Sequence, residues 1–117
     1  MRERMRKEHL KPKSERFDLK QGFGGMVDIE FIVQYLALLH ASEFPEIVKR
    51  SDNVRILNAL NHTGVIDDQT AHILRDGYLT YRAMAHRLSL QNKSAAVDNK
   101  KFAKLRGVIS IIWERYL

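Results

Sequence analysis

The most continuous apolar pattern in this chain runs from about Met26 to His40, where Asp28, Glu30 and Gln34 are the main interruptions. A helix that is apolar on most faces belongs inside a fold, so this segment is expected to be the central, buried helix. Val54, Leu57 and Leu60 recur at helical spacing after Ser51, a suitable N-cap, and predict a helix through Asn61 with Gly64 as its stop. Ala71, Leu74, Tyr78, Tyr81, Ala85 and Leu88 mark the inward side of a long helix that Asp67 can cap and that runs to about Gln91. Gly77 within it costs about 1 kcal/mol relative to alanine. Asn92 to Val97 reads as a loop, Asp98 as a cap, and Asn99 to Tyr116 as a last helix with Phe102, Leu105, Ile109 and Ile112 on one face. Ser42 to Lys49, with Pro45, reads as a connection containing a short turn.

The start of the chain has a different character. Met1 to about Leu10 is rich in helix formers and ends at Pro12, so residues 1–16 read as a basic helical lead-in. Phe17-Asp18-Leu19-Lys20 alternates apolar and polar, which predicts a short extended segment, and Gly22, Gly24 and Gly25 then form a turn. The fold class that results is all-α: one domain over residues 1–117, a bundle of four to five helices with a short extended segment and a Gly-rich turn near residues 17–25.

Composition narrows the setting. A chain of 117 residues fits a single domain with its own core. It has no cysteine, which excludes disulfides and thiolate metal sites and suits a reducing, cytoplasmic location. The apolar run from Ile29 to Leu39 is too short and too polar to span a membrane, and the charged N-terminus has no apolar segment behind it, as a signal peptide would. The net charge of +6 is uneven: residues 1–20 hold eight Lys or Arg against four acids. Such a surplus can attract nucleic acid. Here acids interleave with the bases and no aromatic alternates with them, so a solvated helix face is the simpler reading.

Three groups of residues could carry chemistry. The glycine turn leads into a helix, whose free amides bind anions, and Lys20 would add a full positive charge. The spacing is neither a P-loop nor a dinucleotide fingerprint, and a plain structural turn is the competing reading. Asp28 and Glu30 stand about 200° apart around a helix, so they cannot share one ligand. Asp28 suits the first helical turn as a cap or as a partner of Lys20. Glu30 has apolar neighbours; if buried it needs a partner, for which Arg55, Arg82 and His86 are candidates, and a functional role facing a ligand stays open beside that pairing. Tyr78, Arg82 and His86 form a polar stripe on the long helix, suited either to phosphate or carboxylate contact or to packing. The five histidines are scattered without ligand spacing, and no nucleophile motif occurs.

Lys20, Gly24, Gly25, Asp28, Ile29, Glu30 and Phe31, followed by Gln34-Tyr35-Leu36, resemble the signature of the bacterial glutamine synthetase adenylyltransferase/deadenylylase family. The block from Ser51 to Leu57, the stretch Tyr78 to Gln91, the Met-Arg-Glu-Arg-Met-Arg opening and the Ile112-Trp113 ending extend the resemblance over nearly the whole chain. It implies the helical domain that closes the adenylylating half of a larger, two-half nucleotidyltransferase. That enzyme transfers AMP from ATP to a tyrosine of glutamine synthetase, with Mg²⁺ neutralising charge. The family's metal-binding Gly-Ser-x-x-Asp-x-Asp motif is absent here: Asp67-Asp68 lacks its lead and its spacing. The isolated chain is therefore expected to be catalytically silent, with no catalytic or metal residue of its own. Related uridylyltransferases carry a similar Lys-x-Gly-x-Gly-Gly stretch. The resemblance thus implies that Lys20, Gly22, Gly24, Gly25, Asp28 and Glu30 face the nucleotidyltransferase domain of the same polypeptide near the nucleotide, supported by Arg55, Arg82 and His86. Glutamine synthetase is the implied partner and the PII protein a further one. The alternative is a non-enzymatic module that docks either of them.

Overall fold

The computed structural model describes residues 16–48, 52–98 and 100–117; the lead-in expected over residues 1–16 lies almost entirely outside them, as does Ser51. Two short strands, β1 (Arg16–Asp18) and β2 (Ala96–Asp98), and five helices, α1 (Met26–Leu39), α2 (Pro45–Val48), α3 (Asn53–His62), α4 (Asp68–Leu90) and α5 (Ala103–Tyr116), make up the described chain. The class is the expected helical bundle, with α1 packed against each of the other helices.

The ends of the helices follow from local chemistry. Asp52, not Ser51, caps α3 by accepting from the Val54 amide at 2.8 Å. Gly64, at φ +82°, ends it, and the amides of Gly64 and Val65 close on the carbonyls of Asn61 and Leu60. Asp67 caps α4 through the Thr70 amide at 2.9 Å, and the Thr70 hydrogen bonds hold its carboxyl below the ordinary 3.8. The buried face of α4 comprises Ala71, Leu74, Gly77, Tyr78, Tyr81 and Ala85, with Thr70 at its start. At Gly77 a Cβ would lie 3.4 Å from the side chains of Ile29, Leu105 and Ile109, about van der Waals contact, so α4 meets α1 and α5 closely there without strictly requiring glycine.

Two expectations change. Residues Ala96 to Val97 are not loop, because Phe17 pairs with Val97 in an antiparallel ribbon between β1 and β2. Asp98 closes that ribbon and accepts from the Lys100 amide at 2.8 Å. The last helix accordingly begins at Ala103, behind Phe102 in a left-handed conformation at φ +61°. Second, α1 is central but not buried all round. Ile29, Ile32, Val33, Leu36 and Ala37 face the core, whereas Val27, Phe31, Tyr35, Leu38 and Leu39 are exposed. Helix geometry gives α1 one side to present to its neighbours, and the described elements cover mainly that side.

Tyr81 is fully buried with a hydroxyl that has no hydrogen-bond partner. Its ring meets Phe17 and Phe102 edge to face, at 5.8 and 5.4 Å. Burial raises its pKa, with Arg106 opposing and Asp28 adding to the rise. An orphaned buried hydroxyl costs stability, so Tyr81→Phe is expected to raise the unfolding free energy by about 1 kcal/mol. Urea unfolding checks it; a loss of stability would mean that the hydroxyl has a partner.

Candidate functional site at the glycine turn

The turn between β1 and α1 is held from within. The Asp18 carboxylate accepts from the amides of Lys20 at 2.9 Å and Gln21 at 3.1 Å. Gly22 donates to the Asp18 carbonyl and Gly25 to the Gly22 carbonyl. At the helix start, Met26 and Val27 donate to the carbonyls of Leu19 and Lys20, both at 2.8 Å. Asp28 reaches back from the first turn of α1 to accept from the Gly24 amide at 2.8 Å, the placement the helix dipole favours. These amides are therefore already used, and an amide engaged in this way is not free to hold a phosphate. What the turn offers outward is the Lys20 side chain, which is exposed.

The turn is also clamped from outside. Gly24 sits at φ +73° with its α-carbon against the Arg106 backbone, where a Cβ would lie 2.5 Å from the Arg106 carbonyl oxygen. Arg106 donates through Nε to the Phe23 carbonyl at 3.2 Å. Its guanidinium lies 4.0 Å from the centre of the Phe17 ring, a cation–π contact, and partial burial pulls its pKa down. Gly22 also lies close to the Phe17 ring, where a Cβ would come within 2.6 Å of it. So Gly22, Gly24 and Gly25 each sit where a side chain would strike a neighbour: Phe17, the α5 backbone, and the Leu19 carbonyl respectively.

Glu30 belongs to a neighbouring cluster. It stands at the edge of the buried face of α1, half-buried, where its carboxylate accepts from Asn53 Nδ2 and the Tyr78 hydroxyl, both at a long 3.4 Å. Gln34 extends the network by donating to Asn53 Oδ1 at 3.1 Å. None of the cations expected as its partner fills that role. The Arg82 guanidinium lies over the Tyr78 ring, 5.7 Å from its centre. His86 is exposed one helical turn further along α4. Arg55 lines a shallow hollow with Glu46, Asn58 and His62. Because Glu30 keeps contact with water, it needs no ion pair. The structure thus brings together Glu30, Tyr78 and Arg82, and separately the turn residues from Lys20 to Asp28.

Arg106 and Asn53 were not singled out by the sequence, and Gln34 stood out only as a polar interruption of α1 and within the family signature. Asn53 had a signal, since it stands beside a helix cap one residue after Asp52. Arg106 had none, being 83 residues from the carbonyl it bonds. Among the described residues no group of three or more His, Cys, Asp or Glu could hold a metal ion, and no helix is long and apolar enough to cross a membrane.

Residues 1–97 match the family described as GlnD PII-uridylyltransferase. The chain belongs to this family. Within it, the whole chain is 42% identical to the bifunctional glutamine synthetase adenylyltransferase/adenylyl-removing enzyme of Thioalkalivibrio sulfidiphilus, covering 100% of this chain and 12% of that protein. Over 97 residues it is 44% identical to the enzyme of the same description from Pseudomonas syringae pv. tomato, covering 83% of this chain and 10% of that protein. This GlnD-family chain therefore corresponds to a part of the glutamine synthetase adenylyltransferase, and it spans only about a tenth of the length of those relatives. The Lys-x-Gly-x-Gly-Gly stretch from Lys20 to Gly25, the clamp on Gly24 and the Glu30 cluster all lie inside the matched residues or against them.

Proposed function

We propose that this chain is the helical accessory domain of the adenylylating half of a glutamine synthetase adenylyltransferase, and that the Lys20 side of its glycine turn faces the nucleotidyltransferase domain. The observation that supports this most is the contrast within the turn: a backbone fixed by Asp18, Asp28 and Arg106, carrying one exposed ammonium at its tip. A cation held on a rigid loop meets a phosphate or a carboxylate with little ordering left to do. The parent reaction is attack of a glutamine synthetase tyrosine oxygen on the α-phosphate of ATP, with pyrophosphate leaving. Magnesium in such a reaction neutralises the phosphates. The metal, in this reading, is held by the carboxylates of the partner domain.

In this reading Lys20 attracts and orients the nucleotide or the metal-binding carboxylates beside it, Asp28 keeps the turn closed, and the 117-residue chain alone transfers no AMP. Its setting is the cytoplasm, beside glutamine synthetase and the PII protein. The test is Lys20→Met in the full-length enzyme. Adenylylation of glutamine synthetase is expected to fall at least tenfold while the unfolding midpoint stays within error, because the Lys20 side chain is exposed. An unchanged rate removes the proposal.

A further inference from the structure

The outward side of α1 is largely apolar, and the described elements cover it only in part. At about 100° of rotation per residue, Gln34, Val27, Leu38, Phe31, Tyr35 and Leu39 follow one another round an arc of about 140° opposite the core-facing side. Leu38 is 73% exposed, Leu39 57% and Phe31 51%. Scattered exposed leucines are ordinary, but five apolar residues in one row, running about 18 Å along a helix, are what an interface looks like. The row is also anchored. The Phe31 ring stacks on buried Trp113 of α5 at 5.2 Å, so its middle is backed by the core. Asp28 falls within the same arc, between Tyr35 and Leu39, but in the first turn of the helix, where its carboxylate is turned back to the Gly24 amide.

We propose that this row seats the apolar face of a helix from the remainder of a longer polypeptide, laid along α1 for about three turns. A mainly apolar strip of this length suits a helix side, packed ridge into groove. The relatives match this chain from end to end or nearly so, yet it makes up only 12% and 10% of them. A face of the same polypeptide is present at high effective concentration and outcompetes a free partner of equal quality. A second copy is disfavoured by the net charge of +6 that each chain would bring. The inference rests on the reading that the chain is part of the longer enzyme, but it concerns the outward side of α1 and not the Lys20 side chain.

The test uses Leu38→Cys, which introduces the only thiol into a chain without cysteine. Maleimide labelling at that position, followed by the mass of its peptide, is expected to be at least tenfold slower in the full-length enzyme than in the 117-residue chain. Adding Phe31→Glu to the full-length enzyme is expected to restore the fast rate. Equal rates in the two polypeptides overturn the proposal. So does slow labelling in both with the short chain running as a dimer, which assigns the row to a second copy. Fast labelling in both that slows only when glutamine synthetase is added also overturns it and assigns the row to a separate protein. Adenylylation rates do not enter, so a Lys20→Met defect combined with equal labelling rates would remove this inference and leave the proposed function standing.

Discussion

Gly24→Ala is expected to destabilise the chain by about 3 kcal/mol, of which left-handed backbone strain supplies about 1–2 and the forced shift of α5 the rest. The position combines two demands that only glycine meets. Its φ is +73°, and its α-carbon lies where a methyl would come within 2.5 Å of the Arg106 carbonyl oxygen and 2.7 Å of its Cα. Those atoms are helix backbone and cannot rotate away, so relief requires separating the turn from α5. Gly64 separates the two effects. Its φ is +82°, yet nothing lies within 4 Å of where its Cβ would be. Gly64→Ala should therefore cost only about 1 kcal/mol, the strain alone. Urea denaturation of both variants measures the difference; equal losses would mean that the contact with Arg106 is not tight. Because the clash sits in the turn, Gly24→Ala should also weaken adenylylation in the full-length enzyme more than Gly64→Ala does.

Phe17→Ala is expected to cost about 4 kcal/mol, the usual range for removing a buried aromatic. Phe17 is the inward residue of β1 and only 2% exposed. Its ring is touched on several sides: the edge of Tyr81, the Arg106 guanidinium and the backbone at Gly22. Its loss leaves a cavity, removes a cation–π contact from a half-buried guanidinium and leaves β1 with no side chain in the core. Against a typical total of about 5–15 kcal/mol, the variant should be near the edge of folding at 37 °C. Phe17→Leu, which fills most of the space, should lose about 1.5 kcal/mol. Thermal unfolding of the pair is the check. If the alanine variant unfolds within a few degrees of the parent, Phe17 does not couple the ribbon to the bundle.

The helices were legible because their signals are local. Asp67, Gly64 and the row Ala71, Leu74, Tyr78, Tyr81 and Ala85 each act within a few residues of chain. The cap of α3 was displaced by one residue, since Ser51 and Asp52 are both good N-caps and only the geometry chooses. The ribbon was half legible: Phe17 and Leu19 alternate with polar residues, but three-residue β2 is too short to carry a pattern. The site was less legible. Lys20, the glycines and Asp28 stand out in the sequence, whereas the residue that fixes them, Arg106, lies far away in a helix with nothing unusual around it. Glu30 among apolar neighbours suggested a buried charge, yet a small rotation round the helix puts it on the rim with Asn53 and Tyr78. The outward row on α1 shows a different limit. Apolar residues on every face signal burial, but they do not say whether this chain supplies the cover.

The ribbon between β1 and β2 joins segments 80 residues apart, from Arg16 to Ala96. Closing a free loop of that size costs about 4 kcal/mol in chain entropy, more than a pair of three-residue strands returns. The two strands meet because α1, α3 and α4, packed on one another, turn the chain back on itself. The ribbon is thus a clasp that the bundle holds shut, and the orientation of Lys20 depends on helix packing far from it in sequence.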